Sequence, residues 1–235
     1  TATSQLLRQH AAPPQPAAAS PAAPPDAVEP EDSAPASLPL EIYQSAGRGE
    51  LQKVVKWVRK GGLVDAICPY EAESGDPAAF GLLHAAAVNG QLELVRELLK
   101  RGASVNLQGS LGTTALMSAA FSDHLSIVLV LLQHSASIDL QDTDGYTALM
   151  LAALKGHEAC VQALLRAKAN PDLVDKDGRT AVMKAAYGRH EACVRTLLRA
   201  KAKIELRDKN GRTALQHAEY KGHMAIAELL RQHAA

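Results

Sequence analysis

The chain has 235 residues, with 25 basic and 25 acidic side chains and only 3% aromatic residues. Balanced charge names no partner, and the scarcity of rings suits closely stacked small side chains. No run of about 18 apolar residues is present, which excludes a transmembrane helix. The first residues lack the basic start and continuous apolar stretch of a secretory leader. The chain opens on Thr1, which leaves room for upstream sequence carrying its own targeting signal.

Residues 1–39 hold nine of the twelve prolines, with Ala and Ser filling much of the rest. Such a stretch has little to bury and reads as a disordered tail or linker. Its charge is Arg8 against Asp26, Glu29, Glu31 and Asp32, and that acidity argues against a transit peptide. Within it, Leu6–Ala12 repeats Leu229–Ala235 residue for residue. Either this is coincidence in a Leu/Ala-rich chain or it is the last turn of an upstream repeat.

From residue 40 a period of 33 governs the chain. Asp144-Gly145-Tyr146-Thr147-Ala148-Leu149-Met150 returns as Asp177-Gly178-Arg179-Thr180-Ala181-Val182-Met183 and again as Asn210-Gly211-Arg212-Thr213-Ala214-Leu215. One period earlier stands Gly112-Thr113-Thr114-Ala115-Leu116-Met117. A fixed period of this length predicts stacked supersecondary units rather than one globular core.

Within a unit, Asp144-Gly145 predicts a tight turn and Thr147 a helix cap. Ala148–Leu154 reads as a short helix ended by Gly156. Cys160, Val161, Leu164 and Leu165 then place one apolar stripe on a second helix over about His157–Ala167. The other units align on this one, at about 79–111, 112–144, 145–177, 178–210 and 211–235. A degenerate first unit spans 40–66, and eight extra residues follow it around Cys68–Pro77. Six helix pairs result.

A 33-residue unit of turn, helix, helix with T-A-L-M, A-A-x-x-G-H and V-x-x-L-L resembles the ankyrin repeat over residues 40–235. The resemblance implies an all-α repeat solenoid with β-turn fingers along one edge. It implies protein partners held by the fingertips and by the concave face of the first helices. The chain departs from the family at several places. His84 stands at the family's histidine, but Gly81 replaces the threonine that would bond to it. Ser135, Lys168, Lys201 and His233 replace the glycine that ends the second helix, while Gly61 and Gly102 keep it.

Other chemistries fit the pattern less well. His124, His157, His190 and His223 also recur at 33, but stacked units roughly 10 Å apart cannot bring them to one metal ion. They read as structural histidines bonded to backbone. Cys160 and Cys193 occupy equivalent places too far apart for a disulfide and lie on buried stripes, so they read as reduced and inert. With no nucleophile elbow and no phosphate-binding glycine loop, neither an enzyme nor a cofactor is expected. The reading is cytoplasmic and/or nuclear.

What the fold does not need is left as evidence of function. Val88, Phe121, Leu154, Tyr187 and Tyr220 recur at 33, and the family geometry faces them into the concave groove. They form either an interface ladder or packing between units. Phe80, Tyr146, Lys176, Arg179, Lys209 and Arg212 fall beside the finger turns. Charge is polarised: residues 40–145 carry −4 and residues 146–235 carry +7. This favours a protein partner with an acidic surface, met by a monomer. Nucleic acid is less favoured, because Asp175, Asp177 and Asp208 interleave with the basic fingertips. A further alternative is that the array recognises substrates for a larger enzyme, channel or ubiquitin-ligase adaptor. By resemblance, Asn106 stands at a loop position where the family's asparagine is hydroxylated.

Overall fold

The computed structural model describes residues 37–71 and 77–234. The heptapeptide Leu6–Ala12 and all but the end of the proline-rich stretch lie outside the described residues. Among the described residues, twelve helices fall into six pairs. They are α1 (Leu40–Gly47) with α2 (Leu51–Arg59), α3 (Leu82–Val88) with α4 (Leu92–Lys100), and α5 (Ala115–Phe121) with α6 (Leu125–Gln133). Then come α7 (Ala148–Lys155) with α8 (Glu158–Arg166), α9 (Ala181–Tyr187) with α10 (Glu191–Arg199), and α11 (Ala214–Tyr220) with α12 (Met224–Ala234).

The first helices of the pairs form one row, each packed on its neighbours in sequence, and the second helices from α4 onward form another. The rows differ in closeness. First helices meet through alanines buried to zero or one per cent exposure, such as Ala85–Ala87, Ala119–Ala120, Ala152–Ala153 and Ala185–Ala186. Second helices meet through Leu, Val and Ile and pack less intimately. Small residues on one side and large ones on the other curve the stack toward the first-helix row.

Local chemistry sets each boundary. Thr114, Thr147 and Thr180 accept from the amides of Met117, Met150 and Met183 at 3.3, 3.2 and 3.5 Å. Thr213 does the same for Gln216, whose side chain returns a bond to the Thr213 amide. Gly156 ends α7 with φ of 81°. A Cβ there would stand 2.3 Å from His190 Nδ1, so the position excludes any side chain. Ser135, Lys168 and Lys201 take left-handed backbone at 62°, 73° and 61°, as their alignment with Gly61 and Gly102 predicts. His233 does not: α12 continues through it to Ala234.

Two strands flank residues 72–76, which lie outside the described residues. β1 (Ile67–Glu71) pairs antiparallel with β2 (Pro77–Gly81), Cys68 opposite Phe80. Both of those side chains are buried. Phe80, expected beside a finger surface, therefore belongs to the core. Gly109 makes room for it, since a Cβ there would lie 2.6 Å from the Phe80 ring. The packed stack also takes in Leu38, two residues before the compositional boundary, through its side chain and a bond from its amide to Ile67 O.

His84 joins the second unit to the third. Its Nδ1 accepts from the Gly81 amide at 3.3 Å, and Nε2 meets Thr113 O at 2.9 Å. The bond from the Gly81 amide to His84 is the counterpart of the one from the Thr213 amide to Gln216 in the last unit. Burial holds the imidazole down at about 4 against the pull of the carbonyls, so it is neutral near pH 7.

Two predictions follow from these conformations. Ser135→Gly, Lys168→Gly and Lys201→Gly each raise stability by about 1 kcal/mol, because all three side chains are exposed and lose only left-handed strain. Gly156→Ala lowers it by more than that, and urea unfolding measures both. Second, an unfolded histidine takes up a proton near pH 6.5 while folded His84 resists until about 4. Its contribution is complete above the unfolded value and is lost as pH falls through that window, at most roughly 3 kcal/mol. Unfolding free energies between pH 7 and pH 4 read this, and His84→Gln flattens the slope.

Candidate protein-binding surface

The row of first helices ends, unit by unit, in Val88, Phe121, Leu154, Tyr187 and Tyr220. Each of the first four offers its backbone carbonyl to the histidine of the next unit. His124, His157, His190 and His223 meet Val88, Phe121, Leu154 and Tyr187 O at 3.1, 3.0, 3.0 and 3.2 Å through Nε2. This is the backbone-bonded role expected of the histidine row. No group of three or more His, Cys, Asp or Glu suited to a metal ion occurs among the described residues.

The side chains of this ladder differ in availability. Val88 and Phe121 are buried at 3% and 4% exposure and pack between units, so for these two the packing alternative holds. Leu154 is half-buried. Tyr187 and Tyr220 are open, at 45% and 67%. Cations lie over three of the rings: Lys155 Nζ is 5.0 Å from the Phe121 centroid, Lys221 Nζ 4.4 Å from Tyr187, and Arg212 Cζ 4.7 Å from Tyr220. Lys155 and Lys221 were not foreseen. Their signal lay in the sequence, since each directly follows a ladder residue.

The fingers build on a buried carboxylate. Asp142, Asp175 and Asp208 each accept through Oδ1 from the amides two and four residues on, at 2.8–2.9 Å. Successive fingers then join through backbone, Lys176 N to Asp144 O and Lys209 N to Asp177 O, both at 2.9 Å. Asp175 and Asp208 therefore lie beneath the turns and not among the basic fingertips; of the three acidic residues expected there, only Asp177 is exposed. It pairs with Arg179 at 3.4 Å. Lys176, Lys209 and Arg212 are exposed, and Arg179 is half-buried.

Two ionisable clusters support these fingers. Lys184 Nζ, 3% exposed as a residue, lies 2.5 Å from Asp175 Oδ2 and 4.0 Å from the centroid of the Tyr146 ring. Tyr146, expected at a fingertip surface, is consequently buried beneath Lys184. In the next unit His217 Nε2 takes the same place, 2.9 Å from Asp208 Oδ2. Burial keeps His217 below the usual histidine range against the pull of Asp208, with Arg179 and Arg212 adding to the depression. Its Nδ1 has no hydrogen-bond partner among the described residues, so a second proton would gain none. Burial also acts against ionisation of Asp208, but the amides of Arg212 and Asn210 and the His217 ring outweigh it and hold the carboxyl low.

The remaining candidates are structural. Cys68, Cys160 and Cys193 are free and buried. Burial first, then Asp123, pushes Cys160 up to about 12; burial, then Glu158 and Asp123, does the same for Cys193. Neither ionises near neutrality. Asn106 is exposed, and its amide clasps the next unit, donating to Ser137 Oγ at 3.0 Å and accepting from Ser137 N at 2.7 Å. No helix among the described residues is long and apolar enough to cross a membrane.

Comparison with known families agrees with this geometry. The model for ankyrin repeats, in three copies, matches residues 82–175 and 149–235. The chain belongs to the ankyrin-repeat family, whose repeats ordinarily serve protein–protein interaction without catalysis. No curated protein matched the chain.

The Lys184 site yields a sharp expectation. Lys184→Ala strands Asp175 in the interior and lowers stability by about 3–5 kcal/mol. Lys184→Met with Asp175→Asn recovers most of the loss, because the amide oxygen still accepts from the Asp177 and Arg179 amides. Urea midpoints of the three variants measure this.

Proposed function

We propose that the chain is a non-catalytic adaptor or scaffold that holds a protein partner along its concave first-helix row and fingertips. The observation that carries this is the pair Tyr187 and Tyr220. Both are large rings, both occupy the ladder position, and both stand open where the equivalent Val88 and Phe121 are buried. A fold has no use for two exposed rings in register, whereas interface centres are rich in tyrosine. The exposed cations Lys176, Lys209 and Arg212 form the finger side of the same surface.

The test is affinity capture from the source cell with the full chain and with Tyr187→Ala/Tyr220→Ala. Retained partner falls by several-fold or more in the double variant while its melting curve stays within a few degrees. Equal retention by both chains refutes the groove.

A further inference from the structure

Resting on that reading, we infer that the occupant of the last three units is an extended acidic segment of a partner protein, with apolar side chains at every third residue between the carboxylates. Three observations on this face converge. Among the described side chains, the exposed aromatic rings are Tyr187 and Tyr220. The cations over the ladder, Lys155, Lys221 and Arg212, lie 4.4–5.0 Å from ring centroids and have no carboxylate within 4 Å among the described residues. Exposed cations elsewhere, such as Lys56, Lys100 and Arg166, are also outside ion pairs among the described residues, so what sets Lys155, Lys221 and Arg212 apart is the aromatic ring beneath each.

Beside Lys221 the surface continues into a depression of about 520 Å³, lined by Arg189, Gly222, His223 and Met224, with Glu191 on its wall. Glu191 is neutralised by Arg195, so the depression remains net basic. A cation resting on a ring is held in place and only partly desolvated, and it can accept a carboxylate without first breaking an ion pair.

Spacing gives the occupant its pattern. Stacked helices lie roughly 8–10 Å apart, and a chain in the extended polyproline II form has three residues per turn and rises about 3.1 Å per residue, which puts side chains three apart on one face at about 9 Å intervals. A side chain at every third residue therefore meets successive units. Apolar groups at that interval meet Tyr187 and Tyr220, and the intervening carboxylates meet Lys155, Lys221 and Arg212.

The probe is a fluorescein-labelled peptide of four Glu-Glu-Leu triplets, titrated with the full chain by anisotropy at about 0.15 M salt. It binds about tenfold or more tightly than a Lys-Lys-Leu peptide of equal length, and several-fold more tightly than a Glu-Glu-Ser peptide. Arg212→Glu with Lys221→Glu weakens it by about tenfold or more; the neutral pair Arg212→Gln with Lys221→Gln weakens it by less. Unchanged far-UV melting certifies the fold of both variants. Equal binding of acidic and basic peptides, or indifference to the charge reversals, overturns the assignment. Tighter binding of a single-stranded oligonucleotide, or of a synthetic copy of residues 26–32, gives the surface to nucleic acid or to the chain's own acidic stretch and equally overturns it. A cell-derived partner lost on Tyr187→Ala/Tyr220→Ala, with no Glu-Glu-Leu binding, keeps the groove and rejects the acidic chemistry.

Discussion

The last carbonyls of a helix have no partner within it, and a stack of short helices multiplies that deficit. Here the deficit is met between units. The carbonyls of Val88, Phe121, Leu154 and Tyr187 each meet the histidine that opens the following second helix. One bond closes the end of a helix and fixes the offset of the next unit. It also pins the backbone of every ladder residue but the last, so the side chains of this row project at a constant interval. The close approach of the first helices, permitted by alanine, and the exclusion of a side chain at Gly156 by the His190 ring are conditions for making that bond.

A constant backbone makes the variable side chains comparable. Val88 and Phe121 are covered, while Tyr187 and Tyr220 are open. The open end is also where the chain becomes basic, and where cations rest on rings. Exposed rings and ring-borne cations thus fall in the last units among the described residues, whereas the first units, with the strand pair and the buried Phe80, contribute hydrophobic mass. A solenoid allows this division, since each unit stabilises only its neighbours.

The period of 33 made nearly all of the backbone legible: the six helix pairs, the threonine caps, the left-handed residues at Ser135, Lys168 and Lys201, and the bonded histidines. What it left unread were departures from the period. The strand pair lies in an insertion, for which no other unit supplies a template. Phe80 and Tyr146 looked like surface residues because their places flank turns. Their burial depends on partners far along the chain, Gly109 in one case and Lys184 in the other. The same holds for Asp175 and Asp208. As charges in a list they weakened the basic field of the fingertips; in the fold they are the acceptors that shape those turns.

Lys184 and His217 show how such a position can vary without disturbing the finger above it. The requirement is a carboxylate whose Oδ1 accepts from two amides, and that part is constant at Asp142, Asp175 and Asp208. The other oxygen is met from the helix below by a lysine at Asp175 and by a histidine at Asp208, whereas Leu151 stands at the corresponding place for Asp142. Lysine brings a full charge and lies on Tyr146, drawing that ring inward. Histidine, held below its usual range by burial, brings a hydrogen bond with less charge and leaves the neighbouring ring of Tyr187 edge-on at 6.1 Å, still open to solvent. The choice of buried partner for a finger carboxylate therefore helps to decide which aromatic side chain reaches the surface.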